Sequence, residues 1–101
     1  MVKTTIQEQD GNVVAILEGS LDTAAAPETE KAMSPLNDVE GKDIVIDCTA
    51  LEYISSAGLR IFLGIRKDAA KNGSRVIVRN INTDIRQVFM MTGFISLFEI
   101  Q

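Results

Sequence analysis

The sequence has no histidine and no tryptophan, and only one cysteine, one tyrosine and two prolines in 101 residues. Without histidine there is no Ser-His or Cys-His nucleophile pair, no His-ligated zinc and no imidazole pH switch. A lone cysteine, Cys48, cannot close an internal disulfide, so a reducing compartment is expected. No apolar run approaches the ~20 residues needed to span a bilayer. The opening Met1-Val2-Lys3-Thr4 is unlike a secretory signal. Together these absences predict a small cytoplasmic protein with no membrane segment, no metal and no cofactor.

What is present is ordinary globular composition, with 46% hydrophobic and 24% charged residues. The length suits one domain over residues 1–101, large enough to bury a single sheet-and-helix core without a staple. Charge is unevenly placed. Residues 1–58 carry eleven acids against three bases, a net of −8, whereas residues 59–101 carry seven bases against three acids, a net of +4. An acidic first half repels phosphates, and the bases after Leu59 come with few aromatics, so nucleic acid is not an expected partner.

Along the chain, Thr4–Gln9 and Asn12–Gly19 read as two strands joined by Asp10-Gly11, a strong hairpin signal. A helical stretch over Ala24–Leu36 comes next. Asp22 or Thr23 is placed as its N-cap, Pro27 fits its first turn and Pro35 marks its end. Lys42–Asp47 reads as a strand buried on both faces. A long helix is predicted from about Ala57 to Lys71, stopped by Asn72-Gly73, with Arg60, Gly64, Lys67 and Lys71 on one exposed stripe. Arg75–Val78 is a further strand. Asn82 caps a helix over Thr83–Met91 that ends at Gly93, and Leu97–Ile100 is the last strand. Met33, Met90 and Met91 are expected as core fillers, and Cys48 as a small buried residue. The order β-β-α-β-α-β-α-β predicts a mixed, mostly parallel α/β sheet of about five strands, with an N-terminal hairpin and three to four helices.

Chemistry gathers after the carboxyl ends of strands in such a sheet. The segment after Asp47 runs Cys48-Thr49-Ala50-Leu51-Glu52-Tyr53-Ile54 to Ser55-Ser56-Ala57-Gly58-Leu59. Serines at a helix start have a structural use, because their oxygens accept from the free N–H groups of the first turn. They also suit phosphorylation, since a helix N-terminus favours a dianion. Asp47 is expected to support the loop through bonds to backbone N–H groups, with Thr49 beside it. No lysine lies near the serines in sequence and no nucleophile-elbow pattern is present, so an enzyme is not expected.

The run Asp47 to Arg60 resembles the signature of the STAS domain, the fold of bacterial anti-sigma factor antagonists. Gly19-Ser20-Leu21-Asp22 with Ala26-Pro27-Glu28, and Val88–Phe94 with Leu97–Ile100, resemble two further segments of that family. The resemblance covers the whole chain. It implies a regulator that binds a kinase-type anti-sigma factor and so releases a sigma factor. The anti-sigma factor, a serine kinase, would phosphorylate it and end binding, and a PP2C-type phosphatase would restore it. Aligning the family's glycine with Gly58 places the phosphoacceptor on Ser56, with Ser55 the alternative. Ser55 stands where the family usually has Asp, and Ala57 where it often has a second hydroxyl. The implied partner surface comprises Asp22, Thr23, Ser55, Ala57, Gly58, Leu59 and Arg60, on a protein expected to be monomeric alone. The alternative is a STAS-like scaffold or small-ligand module with no phosphorylation cycle.

Overall fold

In the computed structural model, which describes residues 2–101, Asp10 and Gly11 both take positive φ, 53° and 80°. These are the torsions of a two-residue type I′ turn, whose twist matches that of the strands it joins. Strand β1 (Val2–Gln9) therefore pairs antiparallel with β2 (Asn12–Leu21), Gln9 opposite Asn12. Helix α1 (Ala26–Met33) then leads to β3 (Ile44–Ile54), α2 (Ser56–Lys71), β4 (Val76–Arg79), α3 (Thr83–Thr92) and β5 (Glu99–Ile100). The sheet order is β1-β2-β3-β4-β5, and every pair after the hairpin is parallel.

Because sheet order repeats chain order, each crossover steps the same way. Right-handed crossovers in one direction put every helix on one face. Burial agrees: Val13, Ala15 and Leu17 of β2, Ile44 and Ile46 of β3, and Val76 and Val78 of β4 pack with Phe62, Ile65, Ile85 and Phe89 of the helices. On the other face Val14, Val45 and Ile77 form a small cluster of their own, joined by Ile16. Phe62, Phe89, Phe94 and Phe98 meet edge-on or tilted with centroids 6.0–6.4 Å apart, closing the core beneath α3.

Several sequence expectations are corrected here. Helix α1 begins at Ala26 rather than Ala24 and gives way at Met33 to a 3₁₀ turn, Ser34–Asp38, with Pro35 in it. Neither Asp22 nor Thr23 caps α1; its N-cap is Ala25, because Pro27 can sit only in a first turn. Strand β3 does not stop at Asp47 but runs to Ile54. Met90 and Met91 are 62% and 86% exposed instead of filling the core, since α3 buries only Ile85 and Phe89 against the sheet. The last strand is also shorter than expected, with a 3₁₀ turn over Phe94–Ser96 before it.

The continuation of β3 positions the site. Between the pairs Ile16↔Asp47 and Glu18↔Ala50, and again between Gly19↔Leu51 and Ser20↔Tyr53, β3 carries one more residue than β2. Each extra residue is a bulge, and the strand beyond it faces the opposite side of the sheet. Burial along this tail consequently falls at Cys48, Leu51 and Ile54, every third residue, and not at alternate positions. Gly19, at φ 107°, supplies the opposing backbone at the second irregularity.

Candidate functional site at the start of the long helix

Strands β2 and β3 end side by side, Leu21 opposite Ile54, and α2 starts immediately beyond. Ser55 is locked into this junction. Its N–H donates to the Leu21 carbonyl at 2.9 Å, and its Oγ accepts the Gly58 N–H at 3.2 Å. Its carbonyl accepts the Leu59 N–H at 2.9 Å, the first turn of the helix. The residue is 7% exposed, and Ser55 is the N-cap of α2. Ser56, the first helical residue, is exposed, and no protein group holds its hydroxyl among the described hydrogen bonds. Two adjacent serines of equal chemistry thus have different environments: one oxygen serves the helix and the other faces solvent.

The remaining expected site residues separate in the same way. Ala57 is half-buried and Arg60 exposed, while Gly58 and Leu59 are buried and present nothing to a partner. A Cβ on Gly58 would stand 2.7 Å from Leu21 Cγ and 2.8 Å from Ile54 Cγ1. The missing side chain therefore lets α2 close onto the strand ends, and the close approach is made by the protein's own core. Asp22 directly succeeds Leu21 and so stands beside Ser55. Its Oδ1 accepts the Ala25 N–H at 2.8 Å, fixing the turn before α1. Asp22 lines a hollow with Val2, Ala24, Ala25, Glu28 and Thr29, away from Arg60.

Thr23, in contrast, is exposed and shares a groove of about 390 Å³ with Ala57 and Arg60. The α1 wall of this groove is Ala26, Pro27 and Glu30, and Ile61 completes the α2 side. Sequence reasoning alone does not single out those four. Pro27 and Glu30 lie three apart on one face of α1, a spacing that is visible, but their opposition to α2 is a tertiary fact. The groove brings a carboxylate from the acidic half of the chain, Glu30, to the same surface as a guanidinium from the basic half, Arg60.

Asp47 and Thr49 support the β3 tail from within the strand. Asp47 Oδ1 accepts both the Thr49 N–H at 3.0 Å and the Thr49 hydroxyl at 2.6 Å, and Arg79 donates to Oδ2 at 3.2 Å. Asn80 Nδ2 donates to Thr49 Oγ1 at 2.9 Å, tying β3 to the end of β4. Partial burial pushes the Asp47 carboxyl up, but the two Thr49 bonds and Arg79 outweigh it and hold the group below the usual carboxylate range. Asn82 is legible in the sequence only as a cap and does more. Its Oδ1 accepts the Ile85 N–H at 2.8 Å, while its Nδ2 donates to the Leu51 and Glu52 carbonyls at 3.3 and 3.2 Å. It fastens α3 to the same β3 tail.

Cys48 is fully buried, and burial first, then the Asp47 charge, push its thiol up to about 12, so it is no nucleophile. Among the described residues no group of three His, Cys, Asp or Glu side chains is placed to hold a metal ion. No helix among them is long and apolar enough to cross a membrane.

The STAS domain family model matches residues 3–101. BtrV of Bordetella bronchiseptica, provisionally named an anti-sigma factor antagonist, is 31% identical over 99 residues, spanning 98% of this chain and 85% of that protein. The structure of an anti-sigma factor antagonist from Mycobacterium paratuberculosis superposes with a TM-score of 0.84 at 26% identity, covering 99% of this chain and 85% of that one. Bacillus SpoIIAA, in its phosphorylated form, has the same fold, with a TM-score of 0.72 at 21% identity over 98% of this chain and 91% of its own.

Proposed function

The chain belongs to the STAS domain family, and from that premise we propose that it is an anti-sigma factor antagonist switched by phosphorylation of Ser56. In this reading it is a regulatory binding protein and not an enzyme. It docks on a kinase-type anti-sigma factor through the start of α2 and the groove between α1 and α2, and so frees a sigma factor. Relatives across the full length of the chain that carry the name anti-sigma factor antagonist support the first half of the reading.

The single observation that carries the second half is the contrast between Ser55 and Ser56. A kinase needs a hydroxyl it can reach, and Ser56 is exposed whereas Ser55 is buried and occupied as a cap. In the transfer, the Ser56 Oγ forms a bond to the γ-phosphorus of ATP. The bond from that phosphorus to the β–γ bridging oxygen breaks, ADP leaves, and a base of the kinase takes the hydroxyl proton. The product adds a charge of about −1.5 to −2 at the first helical position, which the helix dipole tolerates. Switching therefore acts at the partner surface. A dianion facing a partner carboxylate costs roughly several kcal/mol in desolvation and repulsion, enough to end binding. A PP2C-type phosphatase hydrolysing the phosphoester would reset the protein.

The experiment is incubation with the partner kinase and ATP, with the phosphate located by mass spectrometry. Label on Ser56, lost in Ser56→Ala, is expected. Equal labelling of Ser56→Ala would sink the assignment. Stable partner binding with no labelling would make the protein a STAS-like scaffold without a phosphorylation cycle.

A further inference from the structure

We propose that Arg60 is the internal counter-ion of phosphorylated Ser56, so that phosphorylation withdraws this guanidinium from the groove between α1 and α2. The proposal rests on the reading of Ser56 as the acceptor and adds how its charge is read out. Ser56 and Arg60 are four residues apart on α2, and both are exposed. Such residues lie one above the other on a helix, with Cβ atoms about 5–6 Å apart. Helical side chains lean toward the N-terminus, so the turn that bears Ser56 is within the sweep of a side chain at position 60. An acid on the N-terminal side of a base at this spacing is also the favourable orientation.

Arg60 is free to respond. The ion pairs among the described residues use Lys42, Arg75 and Arg79, and none uses Arg60. Glu30 lines the same groove without pairing to it, and the Asp22 carboxylate lines a separate hollow and accepts the Ala25 N–H. A phosphate dianion offers a guanidinium two parallel charge-assisted bonds, which neither carboxylate provides from its present place. Before phosphorylation Arg60 is a cation on the groove wall, available to an acidic group of the partner. After it, the same cation is bound to phosphate, so the partner meets new negative charge and loses its positive contact in one step.

The test does not require the kinase. Phosphoserine is installed at position 56 by codon suppression in the parent chain, in Arg60→Gln and in Arg60→Lys, and the second phosphate ionisation is followed by phosphorus NMR across pH. The ionisation constant should fall roughly two- to threefold in Arg60→Gln, the size expected of an i, i+4 ion pair, and recover most of the way in Arg60→Lys. Lys67→Gln, further along the same stripe, should leave it unchanged. A parental ionisation constant in Arg60→Gln would overturn the proposal, as would an equal change in Lys67→Gln, which would mean a general field and not a pair. Failure of kinase labelling would instead strike the acceptor assignment, so the two results are separable.

Discussion

Gly58 rests directly on Leu21: a methyl group at this glycine would lie 2.7 Å from the Leu21 Cγ. Leu21 is fully buried at the end of β2, and Ile54, at 2.8 Å from the same point, ends β3. The start of α2 is thereby seated on both strands, which fixes the direction in which Ser56 and Arg60 face.

Gly58→Ala tests this seating. Alanine in a helix interior is favoured over glycine by up to ~1 kcal/mol, and overpacking a core contact costs roughly 1–3 kcal/mol. Here overpacking wins, because the two nearest atoms, Leu21 Cγ and Ile54 Cγ1, lie partway along side chains buried in the core, and the Leu21 Cδ2 methyl stands at 2.9 Å as well. The variant should melt several degrees below the parent, given roughly 4–8 °C per kcal/mol for a domain of this size. Melting at or above the parental temperature would show that α2 does not approach the strands this closely.

Ser55 should behave as a cap and not as an acceptor. Ser55→Ala leaves the Gly58 N–H without its partner and should cost about 1 kcal/mol, read as a lower urea midpoint. Ser55→Asp should stay near the parent, because aspartate caps about as well as serine. In both variants Ser56 should still take phosphate from the partner kinase. Loss of labelling in the stable Ser55→Asp variant would move the acceptor to Ser55.

Acid should weaken the tie that supports the β3 tail. Asp47 is held below the usual carboxylate range, and so is Asp43, chiefly by its hydrogen bond from Arg75. A carboxylate whose pKa is lowered by folding contributes stability in full above its unfolded value. That contribution is lost as pH falls through the folded value. The stability gap between the parent and Asp47→Asn, measured in urea, should be widest near neutrality. It should shrink as pH drops below about 4, where the unfolded carboxylate takes up its proton. A gap that is constant from pH 7 to pH 3 would mean that the Asp47 charge contributes nothing to holding Thr49 and Arg79.

These tests also mark where the sequence is and is not transparent. The Asp10-Gly11 turn, the Asn82 cap and the Gly93 stop are local chemistry, in which two to four residues dictate a torsion or a hydrogen bond, and each is found where the sequence puts it. The β3 tail is different. Two bulges convert period-two burial into burial at Cys48, Leu51 and Ile54, so the pattern that identifies a strand is erased in the segment leading to Ser55. A motif draws attention to two adjacent serines. Their unequal exposure comes from the packing of Gly58 on Leu21, and the facing wall of Pro27 and Glu30 comes from the crossover geometry. Neither has a signature in the order of residues.

Ser56→Asp separates loss of binding from loss of structure. Position 56 is the first of α2, where a negative charge meets the unpaired N–H groups of the first turn. An aspartate there should leave stability equal to the parent or raise it by about 0.3–1 kcal/mol, an effect that salt reduces. Its affinity for the partner, measured by calorimetry, should nevertheless fall. Parental affinity in Ser56→Asp would remove charge at this position as the switch. A lowered melting temperature would mean that the charge acts by disturbing α2, and the surface mechanism would fail with it.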